Sequence, residues 1–181
     1  MDSPDRKRIL IIDGFNVLRS GKRYKDIVGP NPDWDHDAYN RAREALINDV
    51  ASYAGRDCDA TIVFDGGGNV ESTGESLRIG GVRVVFSPAG FAADTVIEKL
   101  AHEGRNAGYE VMVVSSDATI QDTVFGLGVD RMSAAGFSRE IERHHEEAHL
   151  DEMPQVSSKR TVEGRLDAKT LERLRALRDS L

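Results

Sequence analysis

Four short apolar runs separated by helical patterns constrain the fold of this chain more than any other feature. They occupy residues 9–12, 60–64, 82–86 and 111–114. Continuous apolar runs of this length are typical of strands buried on both faces of a parallel sheet. Between them, apolar residues recur at helical spacing over 38–53 and 96–101. The alternation predicts an α/β fold built from βαβ units, with four parallel strands.

The rest of the chain gives weaker patterns. Residues 66–81 contain six glycines and predict an exposed connection without regular structure. We expect a short helix over 118–125, a last strand over 129–134 and a charged helix over 138–150. A polar stretch from 151 to 165 and a final helix from about 167 complete the chain. The predicted domains are therefore 1–150, and 151–181 as a linker with a C-terminal helix.

Four aspartates stand just after a predicted strand, or at the start of the helix that follows one. Because the carboxyl ends of parallel strands share one edge of a sheet, these side chains are expected to meet there. Crowded carboxylates repel one another unless a proton or cation neutralises them, and a hard divalent ion with oxygen ligands does so. Each aspartate alone has a simpler role as a turn or N-cap residue, but the set predicts metal-assisted chemistry on a phosphate. The four are Asp13, Asp65, Asp94 and Asp117.

Polar neighbours extend this predicted site. Asn16 follows Asp13 in what is expected to be the same loop, and Ser115 and Ser116 precede Asp117. An amide at position 16 is suited to orienting a metal-bound water or contacting the substrate. The serine hydroxyls are suited to a phosphate, although they serve equally well to end a strand.

Charge limits the choice of partner. The formal net charge of -7 argues against indiscriminate binding of nucleic acid, because non-specific affinity comes mostly from Lys and Arg. Basic residues nevertheless cluster after the first strand, where Arg19, Lys22 and Arg23 predict a local basic surface suited to the phosphates of a nucleic acid such as RNA. The N-terminus has no signal-peptide profile, no apolar run approaches membrane-spanning length, and Cys58 is the single cysteine. A cytoplasmic protein without a disulfide is expected.

A competing motif lies near the end of the predicted domain. Residues 145–149 read His-Glu-Glu-Ala-His, which fits the H-E-x-x-H pattern of zinc proteases. The flanking residues are highly charged, whereas a catalytic zinc helix normally packs an apolar face behind its ligands. A solvated charged helix is the favoured interpretation.

Four segments in order resemble the motifs of a known family. They read IIDGFNV at 11–17, FDG at 64–66, ADTVIEKL at 93–100 and VVSSDATIQ at 113–121. Together they resemble the NYN domain, specifically its YacP-like branch, over most of the chain. The resemblance implies a PIN-like Rossmannoid fold: a three-layer α/β sandwich with a mainly parallel sheet and a C-terminal helical tail.

The same resemblance implies a metal-dependent ribonuclease, with an endonuclease expected. Carried over by motif position, Asp13, Asp94 and Asp117 are the expected catalytic and metal-binding acids, with Asn16, Asp65 and Ser116 supporting. The implied cofactor is Mg²⁺ or Mn²⁺, and the implied partners are RNA and the ribosome, in mRNA decay or in RNA processing linked to translation. The glycine-rich loop after Asp65 departs from the family, so substrate contacts there are not transferred.

Two other functions remain open from the sequence. A non-catalytic RNA- or ribosome-binding module would keep the fold without cleaving RNA. A Mg²⁺-dependent phosphatase also gathers aspartates at this edge, but a dehalogenase-like enzyme would have a second Asp at position 15, where this chain has Phe15.

Overall fold

The computed structural model describes residues 8–30, 36–55, 58–66, 76–125 and 128–152. The chain divides into two compact units, Met1–Glu147 and Ala148–Leu181. Most of the predicted linker and the whole predicted C-terminal helix lie outside the described residues. The architecture below is that of the first unit.

A six-stranded sheet forms the middle layer. The order of its strands is β3-β4-β2-β1-β5-β6, and every neighbouring pair is parallel except β3 with β4. The four predicted strands are confirmed, and the last predicted strand is present as β6. The strands are β1 (Arg8–Asp13), β2 (Cys58–Phe64), β3 (Ser76–Ile79), β4 (Val82–Phe86), β5 (Glu110–Val114) and β6 (Asp130–Met132).

Helices cover both faces of the sheet. Successive residues of a buried strand point to opposite faces, so Leu10 and Ile12 enter one apolar cluster while Ile11 enters the other. The first cluster includes residues of α1, α2, α3 and α6, and the second includes residues of α4 and α5. The helices are α1 (Gly14–Ser20), α2 (Lys22–Val28), α3 (His36–Ala54), α4 (Ala93–Asn106), α5 (Ala118–Phe125) and α6 (Ala134–Glu152).

The predicted connection over 66–81 is wrong in its second half, because β3 lies there and pairs antiparallel with β4. The turn between these strands is Gly80-Gly81, with φ of 58° and 87°. Two consecutive positive φ values match the turns that join the shortest β-hairpins, and glycine adopts them without steric cost. The glycine pair therefore marks a hairpin rather than an irregular loop.

The residues after β1 also differ from the prediction. They form α1 instead of a loop, and Asn16 is helical. Gly14 does not turn the chain here, since its φ is not positive. A Cβ at this position would lie 2.4 Å from Cε1 of Phe64 and 2.9 Å from a methyl of Ile62. The glycine allows α1 to begin directly against β2.

Candidate active site

The four predicted aspartates all stand at the carboxyl edge of the parallel strands. Asp13 is the last residue of β1, and Asp65 directly follows β2. Asp117 lies between β5 and α5, while Asp94 is the second residue of α4, the helix after β4. Parallel pairing of β4, β2, β1 and β5 places these ends side by side. The topology therefore gathers the acids in one region, here called the acidic edge.

Asp13 is the buried member of the acidic edge, with 7% of its surface exposed. Its Oδ1 accepts a hydrogen bond from the backbone N–H of Asn16 at 3.1 Å, which caps α1. Its Oδ2 accepts one from the hydroxyl of Ser115 at 3.0 Å. Burial raises the pKa of Asp13, the two hydrogen bonds lower it, and the charges of Asp94 and Asp117 raise it further; the net direction is upward.

Ser115 links Asp13 to Asp117. While its hydroxyl donates to Asp13, the same oxygen accepts the backbone N–H of Asp117 at 3.1 Å. Asp117 Oδ1 in turn accepts the N–H of Thr119 at 2.8 Å and so caps the start of α5. Ser115 is 1% exposed. Its contacts are those of a positioning residue for two acids.

Asp94 is partly exposed and lies near other acids. Its pKa is raised by burial first, then by the charges of Asp117 and Glu98, with a smaller contribution from Asp65. Glu98 lies one helical turn after Asp94 on α4, and sequence reasoning missed it. The sequence did contain a sign of it, since a spacing of four residues places Glu98 and Asp94 next to each other on one face of a helix.

Asn16 and Ser116 mainly hold backbone in place. Asn16 Oδ1 accepts the backbone N–H of Ser116 at 3.3 Å, which ties α1 to the segment after β5. The Ser116 hydroxyl accepts the N–H of Ala134 at 2.9 Å, at the start of α6. Both residues lie at the acidic edge, as expected. Their oxygens stabilise its backbone.

Asp65 is exposed and accepts a hydrogen bond from Ser87 at 3.3 Å. The oxygen of Ser87, which is fully buried, also accepts the backbone N–H of Gly66 at 2.9 Å. These contacts fix the chain as it leaves β2.

Tyr39 and Arg43 of α3 also lie near the acidic edge, and neither was predicted as a site residue. Burial raises the pKa of Tyr39, the charge of Arg43 lowers it, and the charges of Asp65 and Asp13 raise it. These effects require Tyr39 to lie near both the cation and the acids. Sequence alone gave no sign of them, because α3 is distant in the chain from Asp65.

The three predicted RNA-binding residues have different surroundings. Lys22 is exposed, and Arg19 lies over the Phe15 ring at 4.5 Å from its centroid. Arg23 pairs with the buried carboxylate of Asp49, from Nε to Oδ2 at 2.8 Å. Arg23 therefore has a structural contact as well as 44% of its side chain exposed.

The two histidines of the H-E-x-x-H motif have different surroundings. His145 Nε2 lies 2.8 Å from Asp49 Oδ1, a contact that joins α6 to α3, and His149 is exposed. In the part of the chain that the structure describes, no three His, Cys, Asp or Glu side chains stand close enough together to hold a metal ion.

At the acidic edge, too, no three such side chains among the described residues stand close enough to hold a metal ion, but their chemical type is suitable. Asp13, Asp94 and Asp117 offer hard oxygen ligands, and the pKa of each of the first two is raised by burial first and then by the charges of neighbouring acids. A divalent cation is the species that relieves such repulsion. The residues fit Mg²⁺ or Mn²⁺ in charge and ligand type, and binding would require their carboxylates to move closer together.

A family model for the YacP-like NYN domain matches residues 10–179. The chain belongs to the YacP-like NYN domain family. A relative from Bacillus subtilis (strain 168), the protein YacP, is 31% identical over 134 residues, covering 74% of this chain and 75% of that protein. Membership in this family indicates a nuclease-type function at the level of the fold and the family.

Solved structures agree with that assignment. The crystal structure of Rae1 (YacP) from Bacillus subtilis matches with a TM-score of 0.61 and 26% identity, covering 99% of this chain and 95% of that one. A mutant form of Rae1 (YacP) matches with a TM-score of 0.62 and 29% identity, over 78% of this chain and 79% of that one. The predicted PIN-like α/β fold of this YacP-like protein is confirmed. No helix among the described residues is long and apolar enough to span a membrane.

Proposed function

We propose that this YacP-like protein is a metal-dependent ribonuclease that hydrolyses RNA phosphodiester bonds at the acidic edge. The observation that carries the proposal is the placement of Asp13, Asp94 and Asp117 from three different elements at the carboxyl edge of the parallel strands, with Asp13 and Asp117 tied together through Ser115. In a chain of a nuclease-type family, repelling carboxylates kept together at the usual ligand position of an α/β sheet favour phosphate chemistry.

The acids divide into a fixed and a more exposed group. Asp13 is buried and held by two hydrogen bonds, so it would be the anchoring ligand of Mg²⁺ or Mn²⁺. Asp94 and Asp117 are partly exposed and would complete the ligand set on the solvent side. When bound, the ion would polarise a phosphoryl oxygen and lower the pKa of a water molecule. Ser115 acts as a positioning residue for both Asp13 and Asp117.

Endonucleolytic cleavage is the mode that we propose. Asp65 and Ser116 are exposed, and Asp94 and Asp117 are partly so, which makes the acidic edge an open rim. An open rim admits the middle of an RNA strand as well as its end. Because the net charge of -7 works against capture of free RNA, we propose that the natural substrate is RNA presented by a larger assembly such as the ribosome.

Digestion of defined RNAs tests the activity. Wild type should cleave internally in Mn²⁺ or Mg²⁺ and be inactive in EDTA, and mapped product ends should show internal cuts. Asp94→Asn should lower the rate by about 100-fold or more, since a lost metal ligand costs several kcal/mol of transition-state stabilisation. Asp26→Asn, a change at an exposed acid on α2, is the matched control and should keep full activity. Equal rates for wild type and Asp94→Asn would refute the proposed site.

A non-catalytic RNA-binding module is the second candidate. The absence of three suitably close ligands among the described residues favours it. RNA binding without cleavage in Mn²⁺, unchanged by Asp94→Asn, would support this alternative over the nuclease.

A further inference from the structure

We propose that Arg43, together with Tyr39 one turn before it on α3, forms a phosphate-binding site for the RNA strand beside the acidic edge. The inference rests on the proposed function, because it takes RNA as the ligand. It adds a positioning site for substrate that lies on a different element from all of the predicted acids.

The position of Arg43 is set by two aromatic rings. Its guanidinium carbon lies 5.3 Å from the Phe86 ring centroid and 6.0 Å from that of Phe64. The rings stack on each other at 5.7 Å with an interplanar angle of 25°. Phe64 and Phe86 are the last residues of β2 and β4, so their rings hold the cation at the carboxyl edge of the sheet.

Arg43 is held by these rings rather than by an acid. Within the described residues, no hydrogen bond or ion pair of its guanidinium is found. A guanidinium held over an aromatic face does not use its N–H groups in that contact, so they are able to donate to a ligand. Arg43 is only partly exposed, so its position over the rings is also partly shielded from water.

Tyr39 connects this cation to the acidic edge. Its ring packs edge-on against Phe64 at 6.5 Å, and its electrostatic neighbours include Arg43 on one side and Asp13 and Asp65 on the other. Burial raises the pKa of Tyr39, so its phenol is neutral beside the permanent positive charge of Arg43. A permanent cation beside a neutral ring is suited to a phosphodiester oxygen, which accepts from the guanidinium N–H groups.

The position of Arg43 also offsets the electrostatic repulsion between RNA and the acidic edge. A strand brought to an edge of four aspartates is repelled by them, most strongly before any cation binds. A fixed guanidinium on the β2 and β4 side attracts a neighbouring phosphate and offsets part of that repulsion. The geometry thus suits a phosphate that flanks the bond to be cleaved.

The test is an NMR titration of the ¹⁵N-labelled full chain with a short 5′-phosphorylated single-stranded RNA in EDTA, where no cleavage interferes. The Arg43 Nε–H signal, assigned by its loss in Arg43→Gln, should shift saturably. Arg43→Gln should weaken binding about tenfold, as expected for a charged hydrogen bond. It should also lower the slope of log affinity against log salt by about 0.7, the value for one phosphate contact on a single strand.

Arg41→Gln is the matched control, since it removes the same charge from an exposed position on the same helix. It should leave the affinity close to that of wild type. An Arg43 Nε–H signal that does not move at millimolar RNA, or equal affinities of wild type and Arg43→Gln, would overturn the phosphate site. A lower melting temperature of Arg43→Gln with unchanged RNA affinity would show that Arg43 only packs on the rings.

The experiments distinguish loss of the phosphate site from loss of the proposed nuclease activity. Cleavage by wild type with no response of Arg43 removes only the phosphate site. Binding at Arg43 without cleavage in Mn²⁺ retains the site within a non-catalytic RNA-binding protein.

Discussion

Asp13 is a buried carboxyl group whose neighbours at the sheet edge are also acids. Its pKa is raised in the folded protein, so the native state keeps a proton that the unfolded chain has already released. Stability therefore falls as the pH rises from about 4 through the folded pKa, and stays lower above it. The charged form of Asp13 costs stability unless a cation is bound.

Asp13→Asn should consequently unfold at higher urea than wild type at pH 7 in EDTA. The amide oxygen still accepts the Asn16 N–H, and the repulsion by Asp94 and Asp117 is gone. The difference should shrink on acidification and vanish below about pH 4, where the carboxyl group is neutral in both states. Urea unfolding of both proteins across this pH range measures it. A gain in stability that does not depend on pH would point to a cause other than charge.

Among single residues, the sequence predicts the acids of the acidic edge better than it predicts the side chains that contact them. Asp13, Asp65, Asp94 and Asp117 follow from topology, because any residue after a parallel strand reaches the same edge. The tie between Ser115 and Asp13 spans 102 positions and depends on strand register, which the motif does not contain. Tyr39 and Arg43 depend on the rotation of α3, so no local pattern marks them.

Among the elements, α2 and α6 are joined to α3 through one buried carboxylate. Asp49, which is 3% exposed, accepts hydrogen bonds from Arg23 and from the Tyr24 hydroxyl at 3.0 Å, and lies 2.8 Å from His145 Nε2. The H-E-x-x-H pattern thus contains a histidine with a structural partner. A charged helix surface was the favoured interpretation, and this partly buried contact refines it.

Asp49→Ala should lower the free energy of unfolding by about 2–3 kcal/mol, because it leaves the buried Tyr24 hydroxyl without this acceptor and removes charged hydrogen bonds. Chemical denaturation at pH 7 measures the loss. Asp26→Ala, at an exposed acid on α2, should change stability by less than about 0.5 kcal/mol. A comparable small effect of Asp49→Ala would show that the network contributes little.

The elements that sequence predicts well are those whose apolar pattern is set by burial on both sides. β1, β2 and β5 are central strands and read as continuous apolar runs. β3 is an edge strand, with Leu77 56% and Ile79 43% exposed. Its apolar pattern is therefore short, and the glycines of the following turn are the stronger signal in the sequence. The short helices α1 and α2 were missed because each spans only seven residues.

For the whole molecule, ion binding and folding should be coupled. A cation that binds only the folded acidic edge raises the melting temperature, and at 100 times its Kd it adds about 2.7 kcal/mol. For a chain of this size that corresponds to roughly 5–10 °C. Wild type should show this shift in Mn²⁺, and EDTA should reverse it.

The same coupling predicts a reversal of rank between wild type and Asp13→Asn. In EDTA the variant should melt higher, since it lacks a repelled buried charge. In saturating Mn²⁺ wild type should melt higher, since the variant has lost the anchoring ligand, and Asp26→Asn should follow wild type under both conditions. Calorimetry of the three proteins with and without the ion decides the matter. If Asp13→Asn gains as much from Mn²⁺ as wild type does, the ion binds elsewhere, and the acidic edge is not the metal centre.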